Sequence, residues 1–106
     1  MDTPKVLGKD EALELVRRYK EVISPRFDGK VTVLMFGSYS KGYANPWSDI
    51  DVAVIVPKID KEKWFKMSVA LGMDVDKVSI LIEPILLEEG EDSPIYREVM
   101  RTGVAV

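Results

Sequence analysis

The sequence predicts one α/β domain built on a small β-sheet. Its 106 residues are enough for one modest hydrophobic core, so no domain boundary is expected within residues 1–106. An apolar fraction of 46% beside 31% charged residues is typical of a folded globular protein. Apolar β-branched runs also alternate along the chain with segments of helical period. This alternation predicts a sheet covered by helices in two or three layers.

The first third of the chain predicts a helix, a strand and a tight connection. Residues 11–23 carry apolar side chains every three to four positions, with Asp10 as the expected N-cap and Pro25 after the last turn. Residues 31–36 form an almost wholly apolar run that suits a strand covered on both faces. Small and turn-forming residues from Gly37 onwards then predict a loop that contains a short helical turn.

The middle of the chain repeats the strand and helix pattern. Residues 50–56 predict a second buried strand, which Pro57 ends. Residues 60–71 have a helical period, and Gly72 is expected to end that helix. We interpret the lysines of this stretch as its solvated face; they are Lys58, Lys61, Lys63 and Lys66.

The last third predicts one more strand and one more helix. Residues 78–87 read as a third strand, and Pro84 within it indicates an edge position or a local break in the ladder. Ser93 and Pro94 open a final helix as N-cap and first-turn proline, and Gly103 closes it.

Composition excludes several kinds of chemistry. The chain contains no Cys and no His, so zinc sites, thiol nucleophiles, imidazole bases and disulfides are all excluded. Its net charge of −3 argues against a broad surface for nucleic-acid backbone, which needs clustered Lys and Arg. A small anionic ligand bound through a metal remains compatible with this charge, and catalysis would depend on carboxylates, hydroxyls, lysines and oxygen-bound metal ions.

Localisation is predicted from the absence of two signals. Residues 1–4 show no basic start followed by an apolar run, and no stretch approaches the roughly 20 apolar residues that cross a bilayer. We therefore expect a cytoplasmic protein without a membrane partner. The chain also has no Gln and a single Asn, Asn45, a bias found in thermophile proteins.

Two aspartates at the start of the second strand are candidate metal ligands. Asp49 and Asp51 flank Ile50, and residues i and i+2 of a strand face the same side about 6.5 to 7 Å apart. Carboxylates at this separation can hold two Mg²⁺ ions about 3.5 to 4 Å apart, the usual arrangement for in-line phosphoryl transfer. Taken alone, the triplet is better explained by a turn cap followed by a solvated strand residue, because such triplets are frequent by chance.

The surrounding sequence favours a functional site. The residues after Asp51 are apolar, which places both acids at the mouth of a buried strand. Upstream, Gly37 and Ser38 end the first strand and enter a helical turn, where free backbone N–H groups favour an anion such as phosphate. The alternative for Gly37 and Ser38 is a plain turn with a serine cap.

The segment GSYSKGYANPWSDIDVAVIV, residues 37–56, resembles the minimal nucleotidyltransferases of the DNA polymerase β-like superfamily. The resemblance rests on Gly37 and Ser38, ten intervening residues, and then Asp49 and Asp51. It implies a small mixed β-sheet flanked by helices, as in the polymerase β palm. It also implies that Gly37 and Ser38 bind the triphosphate of a nucleoside triphosphate and that Asp49 and Asp51 ligate two Mg²⁺ ions.

The family resemblance further implies a third acidic residue on a neighbouring strand, which completes the metal site and helps to deprotonate the attacking hydroxyl. Ser79 aligns with that position, and Glu83 lies four residues further along. Glu83 supplies the carboxylate if the strand register differs from this alignment. Two hypotheses stay open: an enzyme that uses Asp49, Asp51 and Glu83, and a non-catalytic binder with only Ser79 at this point.

The resemblance also suggests a protein partner. Many minimal nucleotidyltransferases pair with helical HEPN-type proteins as toxin and antitoxin, and modify them on tyrosine. A chain this short has no room for an acceptor-binding domain, so we expect a HEPN-type partner or a homo-oligomer. Tyr39, Tyr43 and Trp47 are the expected contacts, although the size of Trp47 also favours packing against the strand. Ser40 and Lys41 lie in the same loop, within possible reach of the triphosphate.

Overall fold

The computed structural model describes residues 6–106, and its centre is a four-stranded sheet. In chain order the elements are α1 (Lys9–Ile23), a 3₁₀ turn (Ser24–Phe27), β1 (Thr32–Phe36), α2 (Ser38–Lys41), β2 (Ile50–Val56), α3 (Trp64–Asp74), a second 3₁₀ turn (Val75–Lys77), β3 (Ile82–Glu88), α4 (Pro94–Thr102) and β4 (Val104–Ala105). Residues 1–4, on which the expected absence of a targeting segment rests, lie outside the described range. Within that range, no helix is both long and apolar enough to span a bilayer.

The sheet is mixed, as the family resemblance implies. Its strand order is β3-β2-β1-β4, with β2 and β3 parallel and the other two pairs antiparallel. β3 therefore forms an edge, which confirms the interpretation of Pro84, since a residue without an N–H is tolerated there. The short strand β4 was not predicted, because two residues carry no recognisable strand period.

The two faces of the sheet are covered by different helices, because side chains alternate along each strand. One face carries Val33, Met35, Val52 and Val54 and packs in one core with residues of α1 and α3. The other face carries Leu34, Ala53, Ile55 and Leu87 and packs against Val99 of α4. The domain therefore has three layers, with the sheet in the middle.

The predicted helix caps are partly wrong. α1 begins at Lys9, so Asp10 lies inside its first turn, and the N-cap is Gly8, whose N–H donates to Glu11 Oε1 at 3.0 Å. This bond corresponds to one half of a capping box: it satisfies the N–H of Gly8, and no N-cap side chain accepts from the first turn of the helix. The predicted cap of α4 is confirmed, because Ser93 Oγ accepts from the Tyr96 N–H at 3.2 Å.

α3 differs from the helix predicted over residues 60–71. It begins later because Asp60 closes a turn, in which its Oδ1 accepts from Glu62 N at 3.0 Å and its carbonyl from Lys63 N at 2.9 Å. It also continues through Gly72 to Asp74, since the buried residues Leu71 and Asp74 hold the last turn against the body of the protein. Only Lys66 of the four lysines lies within α3, so the prediction that these lysines form one face of the helix is wrong.

β3 begins at Ile82 and not at residue 78 as predicted. Residues 78–81 instead form turns after the second 3₁₀ turn, with Ser79 N donating to Val75 O at 2.8 Å and Ile82 N to Ser79 O at 3.2 Å. The apolar character of Val78 and Leu81 reflects partial burial against the core rather than membership of the strand.

Candidate nucleotide and metal site

Asp49 and Asp51 lie where β2 enters the sheet. Asp51 is half-buried on β2 and pairs with Phe36 of β1, whereas Asp49 is exposed immediately before the strand. The intervening Ile50 is fully buried, and its N–H donates to Leu81 O at 2.8 Å. This anchoring fixes the start of β2 and keeps both carboxylates at its mouth.

Glu83 lies directly opposite Asp51 across the parallel β2/β3 pair, so both side chains project from the same face of the sheet. A hydrogen bond between the Glu83 and Asp49 carboxyl groups raises the pKa of Glu83, and the charges of Asp49 and then Asp51 act in the same direction. The three acids predicted to form the site are therefore neighbours.

Ser79 does not occupy the corresponding strand position. It lies in the turn before β3, where its hydroxyl accepts from Leu81 N at 3.2 Å. Ser79 and Glu83 therefore do not belong to one strand, because β3 starts only at Ile82. The residue that β3 presents beside Asp51 is Glu83.

The acidic groups at this site are not compensated by cationic side chains. Burial, followed by the charge of Asp49, raises the pKa of Asp51. Within residues 6–106, no Lys or Arg forms an ion pair with Asp49, Asp51 or Glu83. Carboxylate oxygens are the ligands that hard divalent cations prefer, so this donor set fits Mg²⁺. The described residues do not, however, hold three acidic side chains already converged on one point.

Gly37 brings the glycine-serine turn against the aspartates. It has a φ of 75°, in a region that residues with a side chain rarely adopt. A Cβ placed here would lie 3.1 Å from Asp51 Cγ and still closer to Asp51 Oδ2. Only glycine allows the backbone to approach the carboxylate so closely, and the turn continues into α2, where Ser40 Oγ donates to Gly37 O at 2.9 Å.

The three aromatic residues of the loop have different environments. Tyr39 packs into the core below α2 and is only 4% exposed, so its predicted role as a contact residue is wrong. Tyr43 and Trp47 are 64% and 80% exposed. Trp47 therefore does not pack against the strand as its size suggested, because Asn45 Oδ1 accepts from the Trp47 N–H at 2.8 Å in an exposed turn.

A further contact at the loop has no signal in the sequence. Lys41 Nζ, at the end of α2, forms a 2.6 Å ion pair with Glu98 Oε1 on α4. Hydrogen bonds from Lys41 and then Arg101 lower the pKa of Glu98, and the bond to Glu98 raises the pKa of Lys41. The loop is thus tied to α4, and Lys41 has a protein partner in place of the triphosphate contact considered for it.

Comparison with known proteins identifies the family to which this chain belongs. The family model described as nucleotidyltransferase domain matches residues 16–100. A relative from Methanocaldococcus jannaschii, provisionally named a protein adenylyltransferase, is 31% identical over 101 residues, which cover 91% of this chain and 99% of the relative.

Two solved structures share the fold. One, provisionally described as a nucleotidyltransferase from Sulfolobus solfataricus, has a TM-score of 0.69 at 22% identity, covering 98% of this chain and 90% of that one. A toxin–antitoxin structure with AMP-PNP has a TM-score of 0.50 at 22% identity, covering 93% of this chain and 72% of that one. With the matched family model and the close relative, we conclude that the chain belongs to the nucleotidyltransferase domain family.

Proposed function

We propose that this protein is a Mg²⁺-dependent adenylyltransferase that transfers AMP from ATP to a hydroxyl group of a protein partner. The observation that carries the proposal is the register of β2 and β3, which sets Glu83 opposite Asp51 and beside Asp49. A third carboxylate next to the aspartate pair is the feature that distinguishes an enzyme from a binder with the same fold.

Each site residue has a separate role in this proposal. Asp49, Asp51 and Glu83 hold Mg²⁺, and the bound ions would neutralise the triphosphate and favour in-line attack at the α-phosphorus. Gly37 and Ser38 bind the β and γ phosphates through backbone N–H groups and the serine hydroxyl. No hydrogen bond occupies the Ser38 hydroxyl among the described residues, which leaves it available for phosphate.

The chemical step needs one base. The acceptor oxygen forms a bond to the α-phosphorus, the bond to the β-phosphate oxygen breaks, and pyrophosphate leaves. The hydroxyl proton passes to the carboxylate of Glu83, which lies opposite Asp51 at the edge of the site. Because Glu83 is exposed, an acceptor group can approach it from solvent.

A protein acceptor is favoured by the exposed surface near the site. The exposed rings of Tyr43 and Trp47 lie in the loop between the phosphate turn and the aspartates, where a partner would contact them. The provisional name of the M. jannaschii relative specifies a protein substrate, and a structural neighbour is a toxin–antitoxin pair. We propose a tyrosine of a HEPN-type partner as the acceptor.

Label transfer tests the proposal. The protein is incubated with Mg²⁺, a HEPN-type protein as candidate acceptor, and each of four labelled nucleoside triphosphates in turn. We expect AMP on a tyrosine of the partner, with a mass increase of about 329 Da, the mass of AMP less water. Glu83→Gln should lower the rate by about 10² or more, as expected for loss of a general base. Glu89→Gln is the matched control: Glu89 is an exposed acid in the turn after β3, and its replacement should leave the rate of transfer unchanged.

A non-catalytic binder is the second candidate function. It is favoured by the absence, among residues 6–106, of three acids already converged on one point. This candidate predicts nucleotide-independent binding to the partner and no label transfer with any of the four nucleotides. Transfer that is equal in wild type and Glu83→Gln would also contradict the assigned role of Glu83.

A further inference from the structure

The outer side of α3 is apolar, although it faces solvent. The sequence of the helix, WFKMSVALGMD, contains two charged residues, and one of these, Asp74, is buried and paired with Arg26. Lys66 is therefore the single charge on its solvent side. An isolated surface helix would carry several charged residues there, so this side has the composition of a covered surface.

Three of the four exposed large apolar residues of α3 form a regular stripe. Phe65, Val69 and Met73 are 71%, 44% and 69% exposed and follow one another at intervals of four, which places them on one side of the helix. Val69 is the central residue of α3, and Phe65 and Met73 lie equally far from it. Gly72 borders the stripe, with no atom within 4 Å of the position that a Cβ would take.

We propose that a second copy of this chain packs on the stripe, with the two α3 helices antiparallel about a two-fold axis at Val69. In this arrangement Phe65 of each copy packs on Met73 of the other, because the two residues are symmetric about the axis. The exposed Gly72 allows the helices to approach closely. The stripe is thus self-complementary, as an interface between identical chains requires.

The charges of α3 fit an antiparallel neighbour. Its first turn contains no acidic residue and its last turn no basic one, so the helix dipole is not compensated by side chains of its own. In the antiparallel pair, Lys66 of one copy lies beside the C-terminal carbonyl groups of the other, where a cation is favourable.

The exposed apolar area of the stripe is that of an interaction patch. With about 150 to 250 Å² for a fully exposed large side chain, the exposed parts of Phe65, Val69 and Met73 amount to roughly 350 Å² per copy. The largest apolar patch on a monomer is about 300 to 600 Å² and often marks an interaction site. α3 and the carboxylates lie on opposite faces of the sheet, so association leaves the nucleotide site open and does not depend on the proposed function.

Sedimentation measurements test the association. The wild type should approach twice the chain mass of 12.0 kDa as its concentration rises. Val69→Glu places two carboxylates at the axis and should weaken association by about tenfold or more, with circular dichroism confirming that the variant is folded. Met100→Glu, at a 56% exposed apolar residue of α4, is the matched control. Asp51→Asn should associate like wild type, so the dimer proposal can be tested independently of the proposed adenylyltransferase activity.

Cysteine cross-linking tests the geometry, because the chain has no cysteine of its own. Phe65→Cys and Met73→Cys should cross-link quickly when the two variants are mixed and slowly when each is alone; Val69→Cys should cross-link with itself. A wild type that is monomeric at all concentrations overturns the proposal, as does a dimer that Val69→Glu leaves intact. Preferential cross-linking of residue 65 to 65 and of residue 73 to 73 would overturn the antiparallel arrangement. A wild type that stays monomeric while a different protein binds the stripe would overturn the proposal that a second copy of this chain covers it.

Discussion

The acidic cluster predicts that removing a site carboxylate stabilises the protein when metal is absent. Asp51 is half-buried, has no cationic partner among the described residues, and has a pKa raised by burial and by the charge of Asp49. Asp51→Asn keeps the shape of the side chain but removes its charge. We therefore expect a variant that is more stable than wild type without metal and unable to hold Mg²⁺-ATP, as for other residues whose function costs stability.

The magnitude follows from the strand geometry. Two unit charges at the Cα spacing expected for residues i and i+2 of a strand, about 6.5 to 7 Å, repel by roughly 0.6 kcal/mol in water and roughly 2.5 kcal/mol at an effective dielectric constant near 20. Asp49 and Glu83 are exposed, so solvent screens much of this repulsion. We expect Asp51→Asn to raise the free energy of unfolding by about 1 kcal/mol at neutral pH.

Urea unfolding in EDTA and in Mg²⁺-ATP measures both effects. In EDTA the variant should unfold at a higher urea concentration than the wild type. In Mg²⁺-ATP only the wild type should become more stable, with a free energy of unfolding higher by about 2.7 kcal/mol at a ligand concentration 100 times the dissociation constant. The difference in EDTA should shrink as the pH falls through the raised pKa of Asp51, because protonation removes the charge. A variant less stable than wild type in EDTA, or an equal response to Mg²⁺-ATP, would refute the reasoning.

Three further predictions concern single residues. Gly37→Ala should lower the free energy of unfolding by about 2 kcal/mol, because residue 37 has a positive φ and a Cβ there clashes with the Asp51 carboxylate. The variant should also lose the rise in melting temperature that Mg²⁺-ATP causes in the wild type; an unchanged rise would contradict the close approach of the Gly37 backbone to Asp51. Ser68→Ala should raise the free energy of unfolding by about 1 kcal/mol, because the buried Ser68 hydroxyl has no partner among residues 6–106; lower stability in urea would count against this. Arg26→Ala should lower the free energy of unfolding by about 1 to 2 kcal/mol at pH 7. The change removes a cationic partner from the buried Asp74 carboxylate, but Arg26 is partly exposed, so solvent already weakens the ion pair. The Arg26 bond lowers the pKa of Asp74, so this contribution is complete above the ordinary value of 3.8 and is lost as the pH falls through the lower folded value; a cost independent of pH would argue against the ion pair.

Local sequence signals were sufficient for the strands that carry the phosphate turn and the aspartates. The buried run at residues 50–56 was predicted with its observed bounds, and β1 within one residue, because apolar β-branched residues between turn signals leave few alternatives. The positions of Gly37, Asp49 and Asp51 followed from these bounds. Their convergence in one site was implied by the family resemblance, and the antiparallel pairing of β1 with β2 brings Gly37 against Asp51.

Tertiary structure decided the features that depend on contacts between distant segments. The choice between Ser79 and Glu83 is a question of register between two parallel strands, and one strand alone does not specify it. Tyr39 and Trp47 lie in one loop, yet only packing under α2 determines that the first is buried and the second exposed. The sequence by itself thus determined the candidate residues Gly37, Ser38, Asp49 and Asp51 and the strands next to which they lie. The fold decided which further carboxylate lies beside the aspartates, because that depends on how β3 aligns with β2.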